Sequence, residues 1–499
     1  MKKLINIIII LFSVLCCLLL AHNFSADSFA FAYAAKYGKD LLNPHHLLFN
    51  VLNRLIIILT DCFLVDTLKI LQIANIGFAV GCLCVFKRLL YKITDNIKVV
   101  AVAIVFVASS FAFLRFATQL ECYIIQAFFS LLAINSFCNY LKNNKTKSLV
   151  FSTIYLICGT VFHQLTILIW FSTLLILIVR CNKVNFKHLL IFLLLSVFIP
   201  LIYFISYYIL TGSVNPNNVI AFSMHDYLNG TAEMPQLKRV IFFTAASLIR
   251  TFIQIHGLIL PFAEKYMICS IIVVISSLSF IILSIIYVFK TKKNKKLCII
   301  SKIKGEYTLT LKYIYTNLII CFMFAAFSNG NAEFMLLLPF FIAIVFVLQC
   351  SAYKKSLLYL SFAMLVWNIS FGLIPYRFEK LDVNNEEVEI VKAYPNAVFV
   401  LRNRTEIENM YMYYYGDEPK AKLINEYGFC KDTLEILMNG HPKIIIDFAY
   451  GIEPKSRRSI TNGNKDWINS YIDKPFISFE ALGIKKMLFE IKNTKYKYE

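Results

Sequence analysis

The chain has 499 residues, 59% of them hydrophobic, with a mean hydropathy of +0.66 and a net charge of +20. So apolar a composition excludes a soluble globule and reads as a polytopic membrane protein. The charge is no nucleic-acid footprint. Residues 376–499 hold 19 basic and 19 acidic groups, so the whole excess falls in the first 375, where it marks membrane loops.

The opening "MKKLINIIIILFSVLCCLLL" has the basic start and apolar core of a signal peptide. Apolar stretches of crossing length recur as far as residue 375, so it is read as an uncleaved first span, 4–21. About 20 residues cross a bilayer as a helix. That length predicts further spans at 67–86, 99–115, 121–141, 148–163, 164–180, 188–210, 267–289, 309–327, 335–353 and 356–375. Basic clusters then gather on one side: Lys2/Lys3, Lys87/Arg88/Lys92, Lys142/Lys145/Lys147, Arg180/Lys183/Lys187, "KTKKNKK" at 290–296 and Lys354/Lys355. That side is expected to be cytoplasmic. Eleven spans leave the N-terminus inside and the residues after 375 outside. The stretch 240–261 is long enough to cross, but a crossing there would put "KTKKNKK" outside. It is expected to lie on or dip into the outer interface.

This topology gives the acids a meaning. Of the 11 in the first 375 residues, only Asp95 and Glu306 fall on the cytoplasmic side; Asp27, Asp40, Asp61, Asp66, Glu121, Asp226, Glu233, Glu264 and Glu333 map outside or to outer helix ends. Asp27 and Glu121 stand in apolar surroundings, where a charge is costly unless a polar cavity receives it. Ser25 is placed to cap a helix over about 26–37, with Asp27 in its first turn. The helix dipole there favours the carboxylate. Asp27 either stabilises the helix start or takes a proton from an incoming hydroxyl as a general base.

Four short segments carry a family resemblance. They are the first-loop acid followed by "NPHHLLFN" at 43–50, "ATQLECYIIQAFFSLL" at 117–132 with Glu121 and Tyr123, "GTVFHQLTIL" with Gly159 and His163, and "EFMLLLPFF" at 333–341. In order and sidedness they resemble the GT-C superfamily of membrane glycosyltransferases, nearest its protein O-mannosyltransferase-like branch. Pro44, His45 and His46 match part of a His-Pro-Pro-Gly-Tyr-Pro-type loop without its second proline and glycine. Glu333 stands where the family commonly has a basic residue. The resemblance covers roughly the first 375 residues. It implies inverting transfer of a sugar from a polyprenyl-phosphate carrier to a hydroxyl acceptor at the outer face of the membrane, taken to be a bacterial inner membrane. Asp27 and Glu121 would then be catalytic, and His45, His46 and Tyr123 would line the substrate loop.

A phosphate leaving group asks the protein mainly to position the donor and to stabilise growing negative charge. The cations near the outer interface are Arg54, Arg115, Lys238, Arg239 and Arg250, with His163 as a neutral donor. Arg115 and Arg250, embedded in apolar helices, suit the role best, because the guanidinium fork donates two hydrogen bonds at once. No His-Glu-x-x-His or Cys-x-x-Cys pattern occurs, so neither a metal nor another cofactor is implied. No phosphate-cradling glycine loop points to a nucleotide-driven pump.

The composition changes near residue 376. "AVFVLR", "AKLINE" and "KIIIDF" read as strands separated by helices over 404–415 and 430–438, with a terminal strand pair in "ISFEALGIKKMLFEI". The expectation is therefore an eleven-span GT-C-like membrane domain, 1–375, followed by a small extracytoplasmic α/β domain, 376–499. The tyrosines of "RNRTEIENMYMYYYGDE" are expected to pack beneath that domain and not to stack on sugars. The partners would be a polyprenyl-phosphate sugar, a hydroxyl-bearing acceptor and membrane lipid, with no nucleic acid. Two rivals stay open: an O-antigen polymerase or ligase, favoured by the long outer loop 211–266, and a flippase, disfavoured by the lack of internal repeats.

Overall fold

The structure, a computed structural model, describes residues 2–60, 62, 65–181, 186–228, 237–255, 257–294, 307–426, 429–440, 443–447, 466–472 and 475–492. Asp61, Lys183, Glu233, Glu306 and the end of the "KTKKNKK" run lie outside the described residues, as do the side chains of Lys2, Asp226, Lys238 and Arg239. The chain divides into two units. One is Met1–Leu20, Asp40–His256 and Ile268–Leu373; the other is Ala21–Lys39, Gly257–Met267 and Ile374–Glu499. The main boundary thus falls two residues before the expected one. Residues 21–39 and 257–267, placed by sequence with the membrane half, group with the C-terminal segment.

The first unit is helical. Among the described residues six helices are long and apolar enough to cross a membrane: Thr67–Ile93, Tyr123–Asn143, Phe186–Thr211, Met267–Lys292, Thr308–Phe327 and Glu333–Phe378. The pair Ile97–Ser109 and Phe111–Thr118, bent by 63°, makes a seventh if counted as one span. The expected spans at 4–21, 148–163 and 164–180 coincide with shorter apolar helices, Lys3–Leu18, Thr146–Phe162 and Gln164–Val179. The expected pair 335–353 and 356–375 falls within the 46-residue helical stretch Glu333–Phe378, in which π and 3₁₀ turns over Phe346–Cys350 and Ser351–Tyr353 separate the α-helices Leu338–Val345 and Lys354–Asn368. Eleven separate crossings are therefore not counted by length and composition. In 240–261 the apolar helix Val240–Phe252 is only 13 residues long, about 20 Å at 1.5 Å per residue. This is short of the ~30 Å hydrocarbon core.

Lipid contact is written in the exposed side chains. Along Met267–Asn294 the exposed residues include Met267, Ile268, Ile272, Ile282 and Phe289, a surface that water would not tolerate. Inside, Phe86 and Phe113 both meet Phe340 edge-on at 5.1 and 5.4 Å, and Phe12 stacks on Phe113 at 5.3 Å. Four helices share this aromatic centre.

The second unit is built on a five-stranded sheet in the order β2-β1-β3-β5-β4. The strands are β1 (Val398–Leu401), β2 (Lys422–Asn425), β3 (Ile444–Ile446), β4 (Ile477–Ala481) and β5 (Ile484–Glu490). β1 pairs in parallel with β2 and β3, while β5 runs antiparallel to β3 and β4. Every residue of β1 and β3 is buried, as both faces of a parallel strand demand. Helices Arg404–Tyr415 and Lys431–Gly440 make the crossovers. The β4–β5 turn needs Gly483, whose φ is +66° and whose missing Cβ would meet Pro261 at 2.4 Å. Helix Ala26–Tyr37 packs on the tyrosine-rich helix: Phe29 lies 5.8 Å from Tyr413 and 6.2 Å from Tyr414, and Asn409 donates to the Ala26 carbonyl at 3.1 Å. The tyrosine cluster serves packing within this unit.

Candidate active site

The helix break at Ser110 creates the site in the first unit. Phe111–Thr118 ends at Gln119, and residues 119–122 connect to helix Tyr123–Asn143. Two amides on helix Thr67–Ile93 hold this connection. Gln72 donates to the Thr118 carbonyl at 2.8 Å, and Asn75 to those of Phe116 and Gln119 at 2.6 and 2.7 Å. These carbonyls lie at the C-terminal end of Phe111–Thr118, beyond the reach of helical donors, so the amides replace bonds that burial makes obligatory. Arg115 Nε donates to Gln119 Oε1 at 3.0 Å. The outcome is a buried carboxylate, Glu121, 3% exposed.

Two residues further on, the buried Tyr123 gathers the remaining groups. Its hydroxyl donates to Glu333 Oε2 at 2.6 Å, and its ring packs against Phe116 at 5.2 Å and His163 at 5.0 Å. Glu333 opens a short 3₁₀ turn, its N–H donating to Asn331 Oδ1 at 2.9 Å. Gly330 sets this turn: φ is +72° and a Cβ would fall 2.3 Å from the Thr244 nitrogen. Sequence comparison discounted Glu333 for lacking a basic character. The signal available was its membership of the outer acids.

His163 caps helix Thr146–Phe162 and is 8% exposed. Its Nδ1 accepts the Leu165 N–H at 3.1 Å, which assigns the proton of the neutral ring to Nε2. Gly159, whose Cβ would lie 2.8 Å from Thr166, lets this turn close. Gln164 donates to the carbonyls of Pro44 and Ser223, both at 2.9 Å, and its Oε1 meets His45 Nδ1 at 3.3 Å. Tyr203 adds a second donor to the Pro44 carbonyl at 3.0 Å. His46 packs edge-on to Phe49 at 6.3 Å. A cavity of about 620 Å³ opens here, lined by polar His45, His163, Gln164 and Asn331 and by apolar Leu168, Phe324 and Phe334.

The cations distribute unevenly. Arg250, near the end of Leu237–Phe252, sits on a helix packed against Phe111–Thr118, which carries Arg115; both arginines are half-buried. Arg54 is half-buried on Phe49–Thr60. Lys238 and Arg239 occupy the first turn of the Arg250 helix. Asp27 belongs to the second unit, exposed in the first turn of Ala26–Tyr37, where Ser25 Oγ accepts the Ser28 N–H at 3.1 Å. The structure thus joins Tyr123, His163 and Glu333 with His45 across the cavity. Among the described residues no group of three or more His, Cys, Asp or Glu is arranged to hold a metal ion.

No protein-family model matches the chain, and no curated protein matches it. Solved structures do. ArnT from Cupriavidus metallidurans, bound to undecaprenyl phosphate, is similar over 99% of this chain and 98% of its own, with 9% identity and a TM-score of 0.50. Its apo state aligns at 8% identity over 98% of each chain, with a TM-score of 0.44. The Archaeoglobus fulgidus oligosaccharyltransferase, in complex with zinc and sulfate, aligns at 11% identity over 88% of this chain and 67% of its own, with a TM-score of 0.46. The likeness to the first is one of fold. The protein is an integral membrane protein whose fold is like that of ArnT, with a small C-terminal sheet.

Proposed function

We propose that the chain is a glycosyltransferase moving a sugar from a polyprenyl-phosphate carrier to a hydroxyl acceptor at the outer face of a bacterial inner membrane. The observation that carries this reading is the cavity beside Tyr123 and Glu333, lined by both polar and apolar side chains, within a fold whose solved neighbour holds undecaprenyl phosphate. A lipid-linked sugar has the same two characters. In the reaction the acceptor oxygen attacks the anomeric carbon, the bond to the phosphate oxygen breaks, and the polyprenyl phosphate departs with inversion. Asp27 takes the acceptor proton as general base. Arg115 and Arg250, on packed helices, bind the phosphate and stabilise the charge it gains. Glu121 and the Tyr123–Glu333 pair orient the sugar, with His45, His46 and His163 beside them. No metal is assigned a step.

Purified protein in nanodiscs, given a panel of labelled polyprenyl-phosphate sugars, should transfer label from at least one to a hydroxyl acceptor. Turnover only with nucleotide sugars, or label moved across the bilayer without bond cleavage, would overturn the reading, the second result in favour of a flippase.

A further inference from the structure

A second pocket opens at the basic end of the helix bundle and takes no part in the site above. It has a volume of about 420 Å³, within the range of small-molecule sites, and lies where helices Thr67–Ile93 and Tyr123–Asn143 end. Its walls carry hydroxyls and amides, among them Tyr91, Asn139, Tyr307 and Thr310, and two ammonium groups, Lys92 and Lys142. Lys92 is half-buried and tethered by Asn135, whose Oδ1 accepts at 2.6 Å and whose backbone carbonyl accepts at 3.4 Å. Tyr307 fixes the adjoining backbone by donating to the Lys92 carbonyl at 3.3 Å, and the Lys142 ammonium stands 5.9 Å from the Tyr307 ring.

Among the described residues Lys92 has no carboxylate partner, its ammonium being held by the neutral acceptors of Asn135. The one acid among the pocket's described lining residues, Asp95, is exposed. A half-buried ammonium held by neutral acceptors, with a second lysine in the same described lining, favours an anion. Lys87, Arg88, Lys145 and Lys147 surround the same end, so the field there attracts anions.

We infer that this pocket binds a phosphate group, presented by the headgroup of an anionic phospholipid in the adjoining leaflet or by free phosphate. Hydroxyl and amide donors beside two lysines match a phosphate oxygen set, and basic pockets between spans are known to take such headgroups.

Full-length protein in nanodiscs of phosphatidylcholine alone supplies the baseline. Phosphatidylglycerol in the bilayer tests the lipid source, and inorganic phosphate in the buffer tests the soluble one. Binding is read by the shift of the unfolding midpoint and by native mass spectrometry of retained phospholipid. One arm should raise the midpoint, and the arm that responds identifies the source. Lys92→Gln should weaken binding about tenfold, the scale of one charge-assisted hydrogen bond. Lys142→Gln should weaken it less, and Asp95→Asn should strengthen it. Lys145→Gln removes the same charge from the same surface outside the pocket and should change little. Silence in both arms, or equal losses for Lys145→Gln and Lys92→Gln, overturns the inference. If Lys92→Gln does not fold, the exposed Lys142 and Asp95 variants decide through their opposite signs.

Discussion

Each unit of the protein draws acids inward, Glu333 half-buried in the first and Glu387 and Asp447 buried in the second, and it supports them differently. In the second unit Glu387 and Asp447, 1% and 0% exposed at the side chain, lie 2.7 and 3.0 Å from the Lys486 ammonium. Asn403 donates to Glu387 at 2.9 Å, and the Arg402 N–H donates to both Asp447 oxygens at 3.2 and 3.1 Å. In the first unit Glu333 takes its side-chain hydrogen bond from a phenol, Tyr123, with no cation paired to it among the described residues. Opposite charges locked together at the ends of β1 and β3 make architecture. A carboxylate supported by a neutral donor beside a cavity is of the kind that marks functional sites.

The largest effect that would sharpen this contrast is on stability. Lys486→Met should leave Glu387 buried without a cation, Asp447 keeping only the Arg402 guanidinium at 3.6 Å, and destabilise the second unit by about 3–5 kcal/mol, measured by denaturant unfolding. A neutral outcome would mean that the network is dispensable and the comparison fails on its structural side.

Next comes catalysis. Asp27→Asn keeps size and polarity but removes the proton acceptor, so turnover should fall ~10²-fold or more with the fold intact. Asp40→Asn should be nearly silent. Asp40 has φ of +50°, a conformation asparagine also accepts, and its fixed role is a backbone carbonyl receiving Asn50 at 3.0 Å. Near wild-type turnover in Asp27→Asn would reduce Asp27 to an acid at the start of a helix.

Donor capture should respond less. Arg115→Ala or Arg250→Ala is expected to weaken polyprenyl-phosphate binding about tenfold, near the value of one hydrogen bond to a charged group. Equal affinity in wild type and both variants would assign these arginines to helix packing. A smaller change is expected from Tyr123→Phe, which leaves Glu333 without its donor. It should lower kcat more than it lowers the unfolding midpoint. The reverse pattern would place the pair with the structural network.

How far these two regions could be read from the chain follows from their bonding. β1, β3 and the β4–β5 hairpin were legible because short β-branched runs between polar stretches leave few alternatives. Ser25 and Asp27 announced their helix through local capping chemistry, and it spans Ala26–Tyr37. The break at Ser110 was hidden because "VASSFAFLRF" is apolar on both sides of it, so 99–115 read as one span. What fixes the break is remote: Asn368, fully buried, donates to the Ser109 carbonyl at 2.8 Å and the Phe252 carbonyl at 2.7 Å while accepting the Gln254 N–H at 2.9 Å. Gln72 and Asn75 act likewise from 41 to 46 residues away. The grouping of 21–39 with the C-terminal unit rests on Phe29 meeting Tyr413 and Tyr414, a contact across the chain that no periodicity encodes. Glu333 shows the same limit, since its partner stands 210 residues earlier.

The smallest effect is one of pH, and it isolates the Lys486 network. Burial works to lower the lysine's pKa from its ordinary 10.5, but the charges of Asp447 and Glu387 and their hydrogen bonds outweigh it, so the net shift is upward. A lysine whose folded-state pKa is raised lends stability that is complete below the unfolded value and is lost as pH climbs through the folded one. Glu387 is shifted upward by its own burial, and Asp447 adds to this against the pull of Lys486. The lead of wild type over Lys486→Met in unfolding free energy should therefore hold through neutral pH and shrink only above about 10.5. Comparing the two proteins at each pH cancels the other lysines and tyrosines that titrate in the same range. A lead that already declines between pH 7 and 9 would mean that the ammonium is held less firmly than its two carboxylates imply, and the network would then resemble the site region more than it differs from it.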